Sequence, residues 1–326
     1  MTELVAVDIG GTNARFTIAT VKDDGAIELG DVVTLPTHAY ASLRSAWEAF
    51  AEKLGRPLPK DGAISFAGPV DGTVLKLTNS PWVLRPELIP SALGLERYEL
   101  VNDFGAVAYA VSRVGPDYLR HICGPDEPLG KEGPISIVGP GTGLGVALLH
   151  RGGRGHVTVI TTEGGHIDFA PLDRLEDQIL QRLRDRYRRV SIERLVAGPG
   201  LVNLYEALAA IEGRSVVADI DDKELWTLAL SGSDVLASAA LDRFCLTLGS
   251  VAGDLALAHG AWSGTVIAGG VGVRVADHLP ISGFSGRYTA KGRFEARMAQ
   301  IPVKLITHPQ PGLLGAAAAF AEKHCR

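Results

Sequence analysis

Asp8 stands two residues ahead of Gly10-Gly11-Thr12-Asn13 in the opening stretch LVAVDIGGTNARFTIAT, residues 4–20. Glycine lacks a Cβ, so the backbone of such a turn can approach phosphate oxygens closely. Successive exposed N–H groups form an anion-binding nest, and Thr12 adds a hydroxyl donor. Asp8 would repel a bare phosphate, which points to a cation between them. Mg²⁺ commonly joins one or two carboxylates to substrate phosphates. The competing reading is a plain hairpin turn with Asp8 capping backbone groups, because Gly and Asp both favour turns.

Three further stretches carry polar groups suited to chemistry. LVNDF places Asn102 and Asp103 at the carboxyl end of an apolar strand, where open α/β sheets bind ligands. Asp103 could take a proton from a substrate hydroxyl; equally, the pair could cap the helix that Phe104 opens. EGGHIDF offers Glu163 and His166 around two glycines. Glu accepts hydrogen bonds and His both donates and accepts, which suits the adjacent hydroxyls of a sugar. A metal site or a solvated turn are the alternatives, and no second nearby His or Cys completes a ligand set. In SIERL, Ser191 could cap a short helix with Glu193 in its first turn. On the residues alone, Glu193 reads as a capping-box side chain.

A second glycine loop lies in ISIVGPGTGLGVALL, residues 135–149, with Gly141 falling on Gly10 when the two stretches are aligned. Two such loops opening successive halves are what a two-lobed fold would give. Neither is a dinucleotide fingerprint. Residues 10–15 read G-G-T-N-A-R and lead into a strand, whereas G-x-G-x-x-G must open a helix. Nor is GPDEPLGKE, residues 124–132, an ATPase P-loop: it has one residue too many, and Glu132 stands where a hydroxyl is needed.

The elements that must carry these groups follow from periodicity. Residues 4–9 and 14–21 are β-branched and apolar and predict strands. Leu43, Trp47, Phe50 and Leu54 predict a helix over Tyr40–Leu54, stopped by Gly55 and Pro57. Buried strands are expected over Ala63–Ala67 and Tyr98–Val101, and a helix over Phe104–Arg113. Asp173 with Glu176 resembles a capping box and opens a helix to Arg188, with Leu175, Ile179, Leu183 and Tyr187 on its apolar face. The basic run Arg182–Arg189 is expected to be solvated. Helices over Gly198–Ile211 and Ser233–His259, a strand over Thr265–Ala268 ahead of Gly269-Gly270, and an alanine-rich helix over Gly312–Glu322 complete the pattern. Alternating strands and helices give an α/β class, with a domain boundary expected near 110–130.

Composition narrows the partners. The 326 residues suit about two domains. A net charge of −5 offers no basic face for nucleic acid. Cys123, Cys245 and Cys325 form no CxxC, so neither a disulfide framework nor a Cys zinc site is expected. A reducing, cytoplasmic location fits, and no signal-peptide pattern opens the chain. No apolar run of membrane-spanning length is expected, since Asp242, Arg243 and Asp254 interrupt Ser233–Gly260. The expected partners include neither nucleic acid nor membrane.

Taken together, DIGGTNARF, NDF, GPGTGLG, EGGHIDFAP, SIERLVAGPGLVNLY, IAGGV and PGLLGA occur in that order along the whole chain. In these motifs the chain resembles the bacterial glucokinases, within the hexokinase, actin and heat-shock-chaperone ATPase superfamily. The resemblance implies a two-lobed actin-like ATPase (ribonuclease H-like) α/β fold. A cleft would separate a small domain, residues 1–112 plus 308–326, from a large one, residues 113–307. It implies transfer of the γ-phosphoryl group of ATP to the 6-hydroxyl of glucose, with Asp103 as general base. Asn102, Asp103, Glu163, His166 and Glu193 would hold the sugar, which replaces the capping-box reading of Glu193. Asp8, Gly10, Gly11, Thr12 and Asn13 would form the first phosphate motif, and Gly139, Gly141, Thr142 and Gly143 the second. Gly269 and Gly270 would line the adenosine pocket, with Gly198–Gly200 nearby, and Asp8 would hold Mg²⁺ through water. A homodimer is implied too. The chain lacks the cysteine-rich zinc motif of many related kinases and repressors, so it resembles the zinc-free branch, and the absence of an N-terminal DNA-binding segment disfavours a repressor. A kinase for another sugar would share these motifs. An actin-like or chaperone-like ATPase would turn over ATP without sugar, and its partner-binding insertions are not evident. A nicotinamide dehydrogenase would need the fingerprint rejected above.

Overall fold

A computed structural model describes residues 1–77, 80, 82–215 and 220–325. Its backbone divides into two compact units: Met1–Gly115 with Gly152–Thr161 and His308–Arg326, and Pro116–Arg151 with Thr162–Thr307.

In the first unit, strands β1 (Thr2–Ile9) and β2 (Asn13–Val21) form an antiparallel hairpin, extended by β3 (Ile27–Leu29) and β4 (Val33–Pro36) on β2. On its other side β1 pairs in parallel with β5 (Asp61–Phe66), and β5 with β6 (Arg97–Asn102). Side chains alternate across a strand, and β1 is apolar on both faces. Val5, Val7 and Ile9 join a core with Phe16, Trp47 and Phe50, the last two from helix α1 (Leu43–Leu54). Leu4 and Ala6 face Leu313, Ala316, Ala317 and Phe320 of the C-terminal helix, Pro311–His324. That helix also packs on α2 (Asp103–Arg113). A Cβ on Gly315 would lie 1.6 Å from the Ala106 carbonyl oxygen, so the helices reach this separation only with glycine there.

The second unit repeats this plan. Strands β8 (Gly133–Pro140) and β9 (Leu144–Arg151) form an antiparallel hairpin, and β8 runs parallel to β10 (Thr265–Ile267), which runs parallel to β11 (Val303–Ile306). Strand β7 (Leu119–Cys123) closes the far side antiparallel to β11. The alignment of Gly141 with Gly10 thus reflects one topology used twice. The turns themselves differ, since Gly10 N–H donates to the Asn13 carbonyl at 2.9 Å and Gly141 N–H to that of Gly143 at 2.8 Å. The core here comes mainly from helices α3 (Arg174–Arg186), α4 (Gly200–Glu212), α5 (Asp222–Ser231) and α6 (Val235–His259).

Four expectations need correction. Helix α1 starts at Leu43 rather than Tyr40, because Ser42 is extended and its side chain accepts the Ser45 N–H. Residues 152–161 group with the first unit: Val157 N–H donates to the Glu322 carboxylate at 2.9 Å, and Thr161 lies against Gly105. The capping box of α3 is half formed. Asp173 accepts the Glu176 N–H, but Glu176 accepts from Leu172 and meets Arg243 and Arg287 in a buried ion cluster. Finally, α6 runs 25 residues and is long and apolar enough to cross a membrane by composition alone. Most of its apolar side chains are buried, against α4, α5 and helix Phe284–Thr289.

His259, the last residue of α6, has Nδ1 3.0 Å from the hydroxyl of fully buried Ser136. Burial pushes its pKa below the usual 6.5, and burial does the same to His308. A base that resists protonation when folded contributes stability fully above its unfolded pKa, and loses it as pH falls toward the folded value. Thermal stability should therefore decline as pH drops below about 6.5. His259→Gln should show a shallower decline than wild type; an unchanged slope would assign the acid sensitivity elsewhere.

Candidate active site

The sequence-predicted residues fall into two groups, one in each unit. In the first unit, the carboxyl ends of β1, β5 and β6 come level: Ile9 pairs with Phe66, and Phe66 with Asn102. The Gly10–Asn13 turn and the Asn102-Asp103 pair thus share one edge of the sheet, with β1 and β6 two strand spacings apart, about 10 Å. The turn is tied down by Thr37, whose Oγ1 donates to the Gly11 carbonyl at 2.7 Å and whose N–H donates to that of Thr12 at 2.9 Å.

Asp8 is on the face of β1 that meets the C-terminal helix. Its Oδ1 accepts from Ser65 Oγ at 2.8 Å, and Oδ2 from Arg15 Nη1 at 3.3 Å. Both partners are its register neighbours on the adjoining strands. The third neighbour is Gly312, in the first turn of the C-terminal helix, where a Cβ would come within 2.5 Å of the Asp8 carboxyl carbon. A helix N-terminus favours a nearby anion. The plain capping reading of Asp8 is therefore too narrow. Asp8 supplies the kind of oxygen ligand Mg²⁺ takes, since that ion keeps several waters and needs only one or two protein carboxylates.

Asn102 does cap α2. Its Oδ1 accepts from the N–H groups of Phe104 and Gly105 at 2.9 and 3.0 Å, and its Nδ2 donates to the Gly68 carbonyl at 3.0 Å. The cap fixes where α2 begins, and so where Asp103, its first residue, presents its carboxylate. The Asp103 Oδ1 accepts from Phe104 N–H at 2.9 Å.

In the second unit the separate motifs converge on the Gly139–Gly145 loop. Glu193 lies in the short turn Ile192–Arg194, but Ser191 makes no side-chain cap there. The Glu193 Oε2 accepts instead from Leu144 N–H at 2.9 Å, and a Cβ on Gly143 would stand 2.6 Å from that oxygen. The capping-box reading of Glu193 fails for this reason. Glu163 precedes and His166 ends a turn over Gly164–His166, both exposed, with His166 Nε2 3.8 Å from Glu163 Oε2. That turn lies directly on the loop's strand, since a Cβ on Gly165 would meet the Leu144 carbonyl oxygen at 2.2 Å. A bridge between Asp168 and Ser191 joins it to the Glu193 turn. Gly198 N–H donates to the Gly141 carbonyl at 2.7 Å. Gly269, at φ +77°, takes a conformation L side chains rarely adopt, and its place against the Pro140 carbonyl leaves no room for a Cβ. Gly270, like Gly269, begins the helix Gly269–Arg274.

Sequence reasoning missed several groups. Ser65, Arg15, Thr37 and Gly312 gave no local signal, because each acts across strands or from the far end of the chain. Asp222 also escaped notice. It sits beside Gly198, and its buried Oδ1 has no hydrogen-bond partner among the described residues. Burial raises its carboxyl pKa, against the opposing charge of Arg274.

The chain is similar to known proteins along nearly its whole length. The family described as Glucokinase matches residues 4–323. The chain is 63% identical over 322 residues to a glucokinase of Zymomonas mobilis, covering 99% of this chain and 98% of that one. It is 42% identical over 319 residues to a glucokinase of Paramagnetospirillum magneticum, covering 97% of each. Among solved structures, a glucokinase from an Antarctic psychrotroph superposes with a TM-score of 0.88 at 33% identity over 98% of both chains.

Proposed function

The chain belongs to the glucokinase family, with the two-domain actin-like ATPase fold, and we propose that it phosphorylates glucose at the 6-hydroxyl with ATP. The single observation that supports this most is the convergence in the second unit. The glycine loop Gly139–Gly145, the Glu163–His166 turn and Glu193 are joined there by direct contacts. A loop suited to phosphate thus adjoins carboxylate and imidazole groups suited to sugar hydroxyls.

In phosphoryl transfer the protein mainly positions groups and stabilises charge. Asp103 accepts the proton of the sugar 6-hydroxyl as its oxygen bonds to the γ-phosphorus and the bond to the departing ADP oxygen breaks. Glu163, His166 and Glu193 hold other hydroxyls, and Asn102 contributes its second amide hydrogen. The Gly10–Asn13 and Gly139–Gly143 loops bind phosphates through those backbone N–H groups not used within their own turns, while Gly269 and Gly270 border the adenosine. Asp8 would hold Mg²⁺ through water, and the bound ion would neutralise phosphate charge. A homodimer and a cytoplasmic location belong to the same proposal. A panel of hexoses and amino sugars, read by ADP release, tests the substrate. Glucose should give the highest kcat/KM; a clear preference for another sugar would overturn the assignment.

A further inference from the structure

Asn203 is an amide in the apolar interior, on α4, with 5% of its surface exposed. Buried polar side chains are kept only where their hydrogen bonds are met, and the bonds of Asn203 lead to one place. Its Nδ2 donates to the Arg194 carbonyl at 2.8 Å. Its Oδ1 accepts from the Tyr187 hydroxyl at 3.1 Å and from Arg186 Nη1 at 3.4 Å. The Tyr187 ring is in turn covered by the guanidinium of Arg194 at 4.2 Å and by that of Arg186 at 5.2 Å. Arg194 is therefore gripped twice, at its carbonyl by Asn203 and at its side chain by Tyr187. Arg194 ends the short turn that carries Glu193, and the Glu193 carboxylate is fixed separately by Leu144 N–H.

We propose that Asn203 is a positioning residue for sugar binding: it sets the Ile192–Arg194 turn, and so aims Glu193. This rests on the reading of Glu193 as a sugar ligand. Asn203→Leu keeps the volume and removes the amide. Asn203→Asp keeps the acceptor oxygen but turns a second oxygen toward the Arg194 carbonyl. A misplacement on the order of 1 Å can cost up to about a hundredfold in an oriented site.

The test is steady-state kinetics on the full chain for wild type, Asn203→Leu, Asn203→Asp, Glu193→Gln and the double variant Asn203→Leu/Glu193→Gln. Both Asn203 variants should raise the KM for glucose about tenfold or more, with the KM for ATP unchanged. The double variant should bind glucose no worse than Glu193→Gln alone, since both act through one carboxylate. An unchanged glucose KM in either folded Asn203 variant, or parallel rises for glucose and ATP, would overturn the proposal. So would loss of folding in both, which would make the amide a matter of stability. If Glu193→Gln itself leaves the glucose KM unchanged, the reading of Glu193 falls, and that result is separate from the others.

Discussion

Asp103→Asn should lower kcat by roughly 10²–10⁴, the range for loss of a general base, while the KM for glucose stays near wild type. The substitution keeps shape and hydrogen-bonding reach but removes the proton acceptor. Asparagine at the first position of α2 can still accept the Phe104 N–H that Asp103 Oδ1 accepts now. The Asn102 cap, which fixes the start of the helix, is untouched. Structure and ground-state binding are thereby separated from proton transfer. A drop in kcat and kcat/KM together, without a rise in KM, marks an interaction made in the transition state. Near-normal turnover would remove Asp103 from the role of base.

Gly312→Ala should impair the use of ATP by displacing Asp8. Its new Cβ would stand 2.5 to 2.7 Å from the three carboxyl atoms of Asp8. Asp8 cannot yield freely, since Ser65 and Arg15 hold its two oxygens from adjoining strands. Nor can the helix easily retreat, because Gly315 is pressed to the Ala106 carbonyl within the next turn. Alanine in place of glycine would otherwise favour a helix by about 1 kcal/mol, so any loss of stability points to the clash. The expected result is a fall in kcat/KM for ATP of about tenfold or more, with the KM for glucose little changed. Wild-type ATP kinetics would show that Asp8 has no part in nucleotide use.

What could be read from the sequence was what depends on local order. Strands around the two glycine loops, the cap at Asn102 and the carboxyl-end placement of Asp103 all follow from neighbours within a few residues. Glu193 shows where that stops. Its local pattern favours a cap, yet the carboxylate bonds to Leu144, 49 positions away. The charge puzzle at Asp8 was legible, but its full surroundings were not: Ser65 and Gly312 reach it through parallel pairing and the return of the last helix. The groups that glycines 143, 165 and 312 pack against are not written in their own segments. Each of these residues is small because a distant carboxylate or carbonyl lies where its side chain would be. The bond from Val157 N–H to Glu322, 165 positions away, is another pairing of this kind.

The central claim is that this chain transfers phosphoryl from ATP to glucose and not to water. ADP release by the purified protein, measured with and without glucose, tests it most directly. ATP consumption should depend on glucose, with glucose 6-phosphate formed in equal amount to ADP. Turnover of ATP at the same rate without sugar would contradict the claim and place the chain among ATPases that act on other partners.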